Sequence, residues 1–249
     1  MLWSYSRISA FSFCKYRFLI SYIKKVPKAR LFFSDYGSFI HKILQKYYDG
    51  ELSQDSLVCY FLTNFMSNVL GKPPSQKIFT NYFNQGLEYF KSFQPTDENI
   101  VGVEKEVSFS IGDREFIGFI DKVSIVGDEL VITDNKSRDL RKRSTRKKPT
   151  KTDEELDSYL KQLYIYSIPI EEEYHKLPDK LVFNCFRTQT VIEEPFSYDA
   201  FVEAKRWAEE TIKLIGEEND WKPDIDFFKC KYICDCNEQC EYFQIYGGD

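Results

Sequence analysis

Asp121, Asp134 and Lys136 are residue types that can act on a phosphodiester if a fold brings them to one point. Asp134 and Lys136 follow the apolar run Leu130-Val131-Ile132, and Asp121 closes the run Phe116-Ile117-Gly118-Phe119-Ile120. Side chains two apart on a strand share a face. The spacing therefore sets a carboxylate beside an ammonium, and a neighbouring strand end brings Asp121 to the same point. Two carboxylates suffice to anchor magnesium or manganese, hard cations that take oxygen ligands and keep waters a phosphate can replace. Such an ion lowers the pKa of bound water and offsets charge on the phosphate, while Lys136 orients the water or stabilises the developing charge. Many solvated strands carry Asp-x-Lys. This one stands apart because it follows three apolar residues, thirteen residues beyond the aspartate of Gly118-Phe119-Ile120-Asp121.

Two further spacings flank this group: Gly37 to His41, and Gln162 to Tyr166. In chain order, Gly-x-x-x-His, Gly-x-x-Asp, Asp-x-Lys and Gln-x-x-x-Tyr resemble the motifs of the RecB-like branch of the PD-(D/E)XK nuclease superfamily. The resemblance implies that His41, Asp121 and Asp134 are metal ligands, with the backbone carbonyl of Asn135 a fourth, and that Lys136 is catalytic. Gln162 and Tyr166 fall one helical turn apart on one face and are implied to touch nucleic acid or Lys136. Asp134 stands where many relatives have glutamate. The implied activity is metal-dependent hydrolysis of DNA with Mg2+ or Mn2+, exonucleolytic by first expectation. A structure-specific endonuclease and a non-catalytic DNA-binding module of a repair or recombination complex are the alternatives; intact Asp121, Asp134 and Lys136 count against the second. GKPPSQK is not a nucleotide-binding phosphate loop, so a helicase or recombination motor must come from another chain or be absent. Glu104 and Glu106, alternating with Val103 and Val107, read as a solvated strand face, and His175 is assigned no role.

Seven cysteines form the second signal. An odd number without secretory context argues against a disulfide framework and for a reducing, cytoplasmic compartment. Cys230, Cys234, Cys236 and Cys240 crowd CKYICDCNEQC, and Cys14 lies near the other end. The layout resembles AddB-type subunits and the stand-alone nucleases of CRISPR adaptation, in which one N-terminal and three C-terminal cysteines hold a [4Fe-4S] cluster. That resemblance implies Cys14, Cys230, Cys234 and Cys240 as ligands. It is imperfect, since Cys236 is left over and the first C-terminal gap is longer than usual. A zinc site of the four C-terminal cysteines is the alternative, poorly matched by the single residue between Cys234 and Cys236. Cys59 and Cys185 sit in apolar runs and read as buried small hydrophobes.

The net charge of −5 seems wrong for a partner of DNA, but its distribution is uneven. Between residues 138 and 151, eight basic residues face one acid. Arg138, Arg141, Lys142, Arg143, Arg146, Lys147 and Lys148 are therefore candidates for phosphate contacts, which bind without regard to sequence and weaken with salt. Such a run is also what a solvated loop or, by composition, a nuclear localisation signal looks like.

Elements that must position these residues follow from periodicity. An N-terminal helix capped by Ser6 or Ser9 carries Phe11, Phe13, Phe18, Leu19 and Tyr22; its interspersed Arg7, Lys15 and Arg17 exclude a signal peptide or membrane span. Helices are predicted over 36–48, 55–70 and 76–93, with Gly50 and Gly71 as stops. Strand patterning begins near Val101 and turns at Gly112-Asp113; strands follow at 181–186 and 190–194, and a helix at 198–215. The chain reads as one α/β domain over 1–249: a restriction-endonuclease-like mixed central sheet flanked by helices, with a helical N-terminal half and termini joined by a cysteine metal site.

Overall fold

Gly112 and Asp113 fold the chain back between two thirteen-residue strands, β1 (Asn99–Ile111) and β2 (Arg114–Val126). Gly112 has φ +57°, a left-handed conformation that side chains resist. A second turn, with Gly127 at φ +61°, leads into β3 (Glu129–Lys136), antiparallel to β2. The structure is a computed structural model that describes residues 1–246. A helix, α6 (Lys151–Tyr174), crosses to β4 (Lys180–Cys185), which lies parallel to β3 as only a crossover permits. β5 (Thr190–Pro195) completes the sheet, whose order is β1-β2-β3-β4-β5.

α6 and the helix α7 (Tyr198–Glu217) pack on one sheet face, where Ile132, Leu160, Leu163, Phe183, Ala204 and Ala208 meet in the main core. The chain's first half is helical: α1 (Tyr5–Phe13), α2 (Lys15–Phe18), a π-helical turn at Leu19–Ile23, α3 (Phe32–Tyr48), α4 (Leu57–Asn68) and α5 (Gln76–Ser92). The last three form their own core, in which Tyr36, Phe39, Phe61, Phe65 and Phe90 pack against Phe186 at the end of β4. Beyond α7, a second π-helical turn (Lys229–Ile233) and a short helix, α8 (Glu241–Tyr246), complete the described chain. This is the mixed, helix-flanked sheet expected, and the predicted strands and helices from Gln76 onward fall within a few residues of the observed ones.

Several expectations are corrected. Ser4, not Ser6 or Ser9, caps α1, its hydroxyl accepting from the Arg7 N–H. The N-terminal helix is broken at Cys14, whose extended backbone (φ −167°, ψ 118°) starts α2 with the thiol itself as cap, accepting from the Arg17 N–H. α3 begins four residues before Tyr36. Gly71 is required by a close approach rather than a helix stop, because a methyl there would overlap the backbone of Leu31 and Phe32. Cys59 is exposed on α4, although Cys185 is buried as expected; the helical period turns Cys59 away from buried Phe61 and Phe65. No helix among the described residues is long and apolar enough to cross a membrane.

Candidate active site

The β2–β3 ladder runs from Val126–Glu129 to Lys122–Thr133 and stops there. Asp121 and Asp134 are the next residues along each strand, so both carboxylates stand where the strands diverge. β3 continues alone, held on its other side by β4 through the pairs Asp134–Phe183 and Lys136–Cys185. Into this wedge the Asn135 N–H donates to Asp121 Oδ2 over 2.6 Å.

His41, from the middle of α3, closes the wedge. Its Nε2 lies 2.9 Å from the Asn135 carbonyl oxygen, and its Nδ1 lies 3.3 Å from Glu104 Oε1 and 3.5 Å from Asp121 Oδ2. Among the described residues, His41, Glu104 and Asp121 are the group of three whose ligand atoms all lie within 4.8 Å of one another. Glu104 is thus an addition that strand alternation missed, and the solvated-face reading is corrected for it; Glu106 is exposed. The β1–β2 register passes from Val103–Lys122 to Lys105–Ile120, leaving Glu104 and Asp121 out of the ladder. Glu104 has φ +43°, a conformation that costs a non-glycine residue about 1–3 kcal/mol and tends to mark functional sites. Nothing in the local sequence signals that kink.

Asp134 and Lys136 share a face of β3. Lys136 Nζ lies 2.7 Å from Asp134 Oδ2 and donates to Gln162 Oε1 over 3.0 Å. The ammonium also sits 5.8 and 5.9 Å from the ring centres of Tyr159 and Phe183. The Asp134–Lys136 contact lacks hydrogen-bond geometry, which leaves Asp134 Oδ2 buried and without a hydrogen bond. Burial and the Asp134 charge raise the Asp121 carboxyl well above the usual carboxylate range. Burial would lower His41, but the Glu104 hydrogen bond and the charges of Asp121, Asp134 and Glu104 outweigh it and lift the imidazole to about 9. Crowded carboxylates, one of them with a buried oxygen that has an ion-pair partner but no hydrogen bond, and an imidazole drawn toward protonation suit a cation site. The donor set, three carboxylates and one imidazole, fits a hard divalent ion.

Tyr166 is brought near this group but packed away: it is 7% exposed, and a methyl on Gly118 would come 2.5 Å from its ring. Its hydroxyl is pushed up to about 12 by burial and then by the Asp134 charge. Contact with nucleic acid does not suit this burial; the ring packs instead against Gly118 of β2.

The basic segment divides. Arg143 is engaged by Asp157 (2.6 Å) and Glu194 (2.8 Å), and Arg138 by Glu155 (3.2 Å) and the Tyr159 ring. Arg141, Lys142, Arg146, Lys147 and Lys148 are exposed. Leu140 is buried and Asp153 accepts hydrogen bonds from the N–H and hydroxyl groups of Ser144 and Thr150, so the segment is tied to the start of α6.

Cys14, Cys230, Cys234 and Cys240 line one cavity with Ile20, Ile225 and Phe243, joining elements from opposite ends of the chain. Cys236 is turned away, fully buried with its sulfur 2.8 Å from Ser21 Oγ. Backbone N–H groups of Arg17 and Asp224 both donate to the Cys14 sulfur over 3.4 Å. Burial pushes the Cys234 thiol up to about 12 and raises Cys240 as well. No three of these sulfurs lie as close together as the His41 group.

The sequence profile of the PD-(D/E)XK nuclease superfamily matches residues 2–241. Among solved structures, the crystal structure of a "Putative exonuclease" from Eubacterium rectale covers all of this chain with 94% of its own, at TM-score 0.50 and 11% identity, a likeness of fold. Another, SSO0001, covers 82% of this chain with 95% of its own, at 19% identity and TM-score 0.31. No curated protein sequence matches the chain.

Proposed function

The chain belongs to the PD-(D/E)XK nuclease superfamily, and from that premise we propose that it is a metal-dependent deoxyribonuclease of the RecB-like branch, working as an exonuclease. The observation that carries the reading is the convergence of His41, Glu104 and Asp121 beside a buried Asp134 whose Oδ2 is paired with Lys136. His41, Glu104, Asp121 and Asp134 would hold Mg2+ or Mn2+, which when bound supplies the Lewis acidity that activates water and offsets phosphate charge. Lys136 presents its ammonium to the attacking water or a phosphate oxygen, and Gln162 keeps it aimed. Arg141, Lys142, Arg146, Lys147 and Lys148 take the DNA backbone, while Arg138 and Arg143 chiefly hold the segment in place.

The exonuclease preference draws on the name of the Eubacterium rectale neighbour. The test is cleavage of end-labelled against circular DNA with Mg2+ or Mn2+. Loss of label from ends with circles intact is the expected result; nicking of circles favours the structure-specific endonuclease, and no cleavage of either the non-catalytic DNA-binding module.

The cysteine cavity supports a [4Fe-4S] reading with Cys14, Cys230, Cys234 and Cys240 as ligands. A cubane interposes its own irons and sulfides between thiolates, so its ligands stand farther apart than those of a single zinc. Buried thiols of raised pKa need such a cation in order to ionise. An odd total of seven cysteines suits a reducing, cytoplasmic compartment. Protein purified without oxygen should contain about four irons per chain and keep them in Cys236→Ala but not Cys14→Ala; stoichiometric zinc overturns the assignment. The RecB-like resemblance implies a helicase partner in repair or recombination.

A further inference from the structure

Asn135 is held at three of its atoms, and only two of the partners belong to the site already described. Its N–H donates to Asp121, and its carbonyl oxygen meets His41 Nε2 at 2.9 Å. Because the β2–β3 ladder ends at Thr133, side chains take these two groups where a strand backbone would. The third atom is Oδ1, which accepts from Asn184 Nδ2 over 2.8 Å.

Asn184 is the cross-strand partner of Asn135 on β4, so both side chains leave the sheet on one face. That face is opposite the one carrying Asp134 and Lys136. It opens on a cavity of about 640 Å³ whose lining includes Tyr89, Thr133, Asn135, Val182 and Asn184. Asn184 Nδ2 has two hydrogens, and it also donates to the Tyr89 hydroxyl over 2.9 Å. Tyr89 stands on α5, buried in the helical core with its ring 5.9 Å from that of Phe186. The same core holds α3, which carries His41. Asn184 therefore bridges the helical layer and the one residue of β3 whose carbonyl His41 meets.

Groups that ligate a metal are oriented by the hydrogen bonds behind them, and losing such a bond costs about ten- to a hundredfold in metal affinity. We propose that Asn184 is a positioning residue for the metal site: acting through the Asn135 side chain, it fixes the peptide that holds Asp121 and faces His41. From the far face of the sheet it acts on no substrate atom. The proposal rests on the metal-dependent nuclease reading and names what keeps α3 and the end of β3 in register there. Because the cavity is open to water, Asn184→Leu leaves Asn135 Oδ1 and the Tyr89 hydroxyl with solvent partners, and the fold should hold.

The test is Mn2+ binding to the full chain by calorimetry, with no DNA present. Asn184→Leu should weaken it about tenfold, while the unfolding temperature measured in EDTA stays near that of the wild type. Tyr89→Phe, which cuts only the outer link, should weaken it less. Asn135→Ala should match Asn184→Leu, and the double variant should be no weaker than either, since both changes remove one hydrogen bond. Val182→Ala is the control: it trims the same face of β4 two residues away, and should lower the unfolding temperature without changing Mn2+ affinity. Wild-type affinity in Asn184→Leu overturns the proposal, as do additive losses in the double variant or equal weakening in Val182→Ala. Failure of the wild type to bind Mn2+ sinks the metal reading and this proposal together. Mn2+ binding that depends on Asn184, in a chain that cuts no DNA, sinks the nuclease reading alone.

Discussion

Lys136 donates to Gln162 across 3.0 Å, so the ammonium at the end of β3 is aimed by a residue on α6. The rings of Tyr159 and Phe183 leave it little other freedom. Gln162→Leu should lower kcat about a hundredfold by misplacing the ammonium, while KM hardly moves. Lys136→Ala should cost about a thousandfold, as loss of a charge-stabilising donor does. Wild-type kcat in Gln162→Leu would show that the amide is not what positions the lysine.

Glu104 and Glu106 are two residues apart on β1, yet only Glu104 faces His41. Glu104→Gln should weaken Mn2+ binding at least tenfold by calorimetry and remove most of the rise in unfolding temperature that Mn2+ produces. Glu106→Gln should alter neither. Equal effects from the two substitutions would return Glu104 to a solvated strand face.

Gly118 and Gly71 are both required by close approach, but their neighbours differ in how far they can yield. A methyl on Gly118 meets the buried Tyr166 ring, so Gly118→Ala should destabilise by about 1–3 kcal/mol, as overpacking does. Tyr166→Leu added to it should recover part of that loss. Gly71→Ala meets the backbone of Leu31 and Phe32 and should cost more, with no side-chain substitution able to relieve it. Denaturant midpoints of the three variants decide the ranking.

Asp153 is held well below the usual carboxylate range, first by the N–H groups of Ser144 and Thr150 and then by their hydroxyls. The ionised form is therefore favoured by folding. Its contribution is complete above the unfolded value of about 4 and is lost as pH falls toward the folded one. Asp153→Asn should unfold below wild type at pH 7, with the gap closing as pH drops from about 4. A gap that stays constant with pH would mean that the carboxylate charge is not involved.

Period-2 alternation was enough to set Asp134 and Lys136 on one face, because β3 is a regular strand wherever it touches β4. The same alternation misjudged Glu104, since a left-handed backbone at one residue turns its side chain against the rule and no turn-forming residue announces it. Helix ends were legible where Gly50 stops α3 with φ +76°, and less so at the N-terminus, where three serines compete as caps and tertiary contacts choose Ser4. The break at Cys14 lay beyond pattern reading, because the residue that interrupts the helix also restarts it. Cys59 lies in an apolar run yet is exposed, because its neighbours along the chain point from other faces of the helix.

The contact between Cys14 and the Asp224 N–H spans 210 positions of sequence. During synthesis, α1 and α2 leave the ribosome with one wall of the cysteine corner and wait for nearly the whole chain before the other wall exists. The hairpin of β1 and β2 and the packing of α3 on α4 need only local partners and can form in that interval. The corner is then an end-of-line inspection: a chain that stops short of residue 224 can assemble its sheet and pack α1 into the main core, but leaves the Cys14 thiol without its far wall.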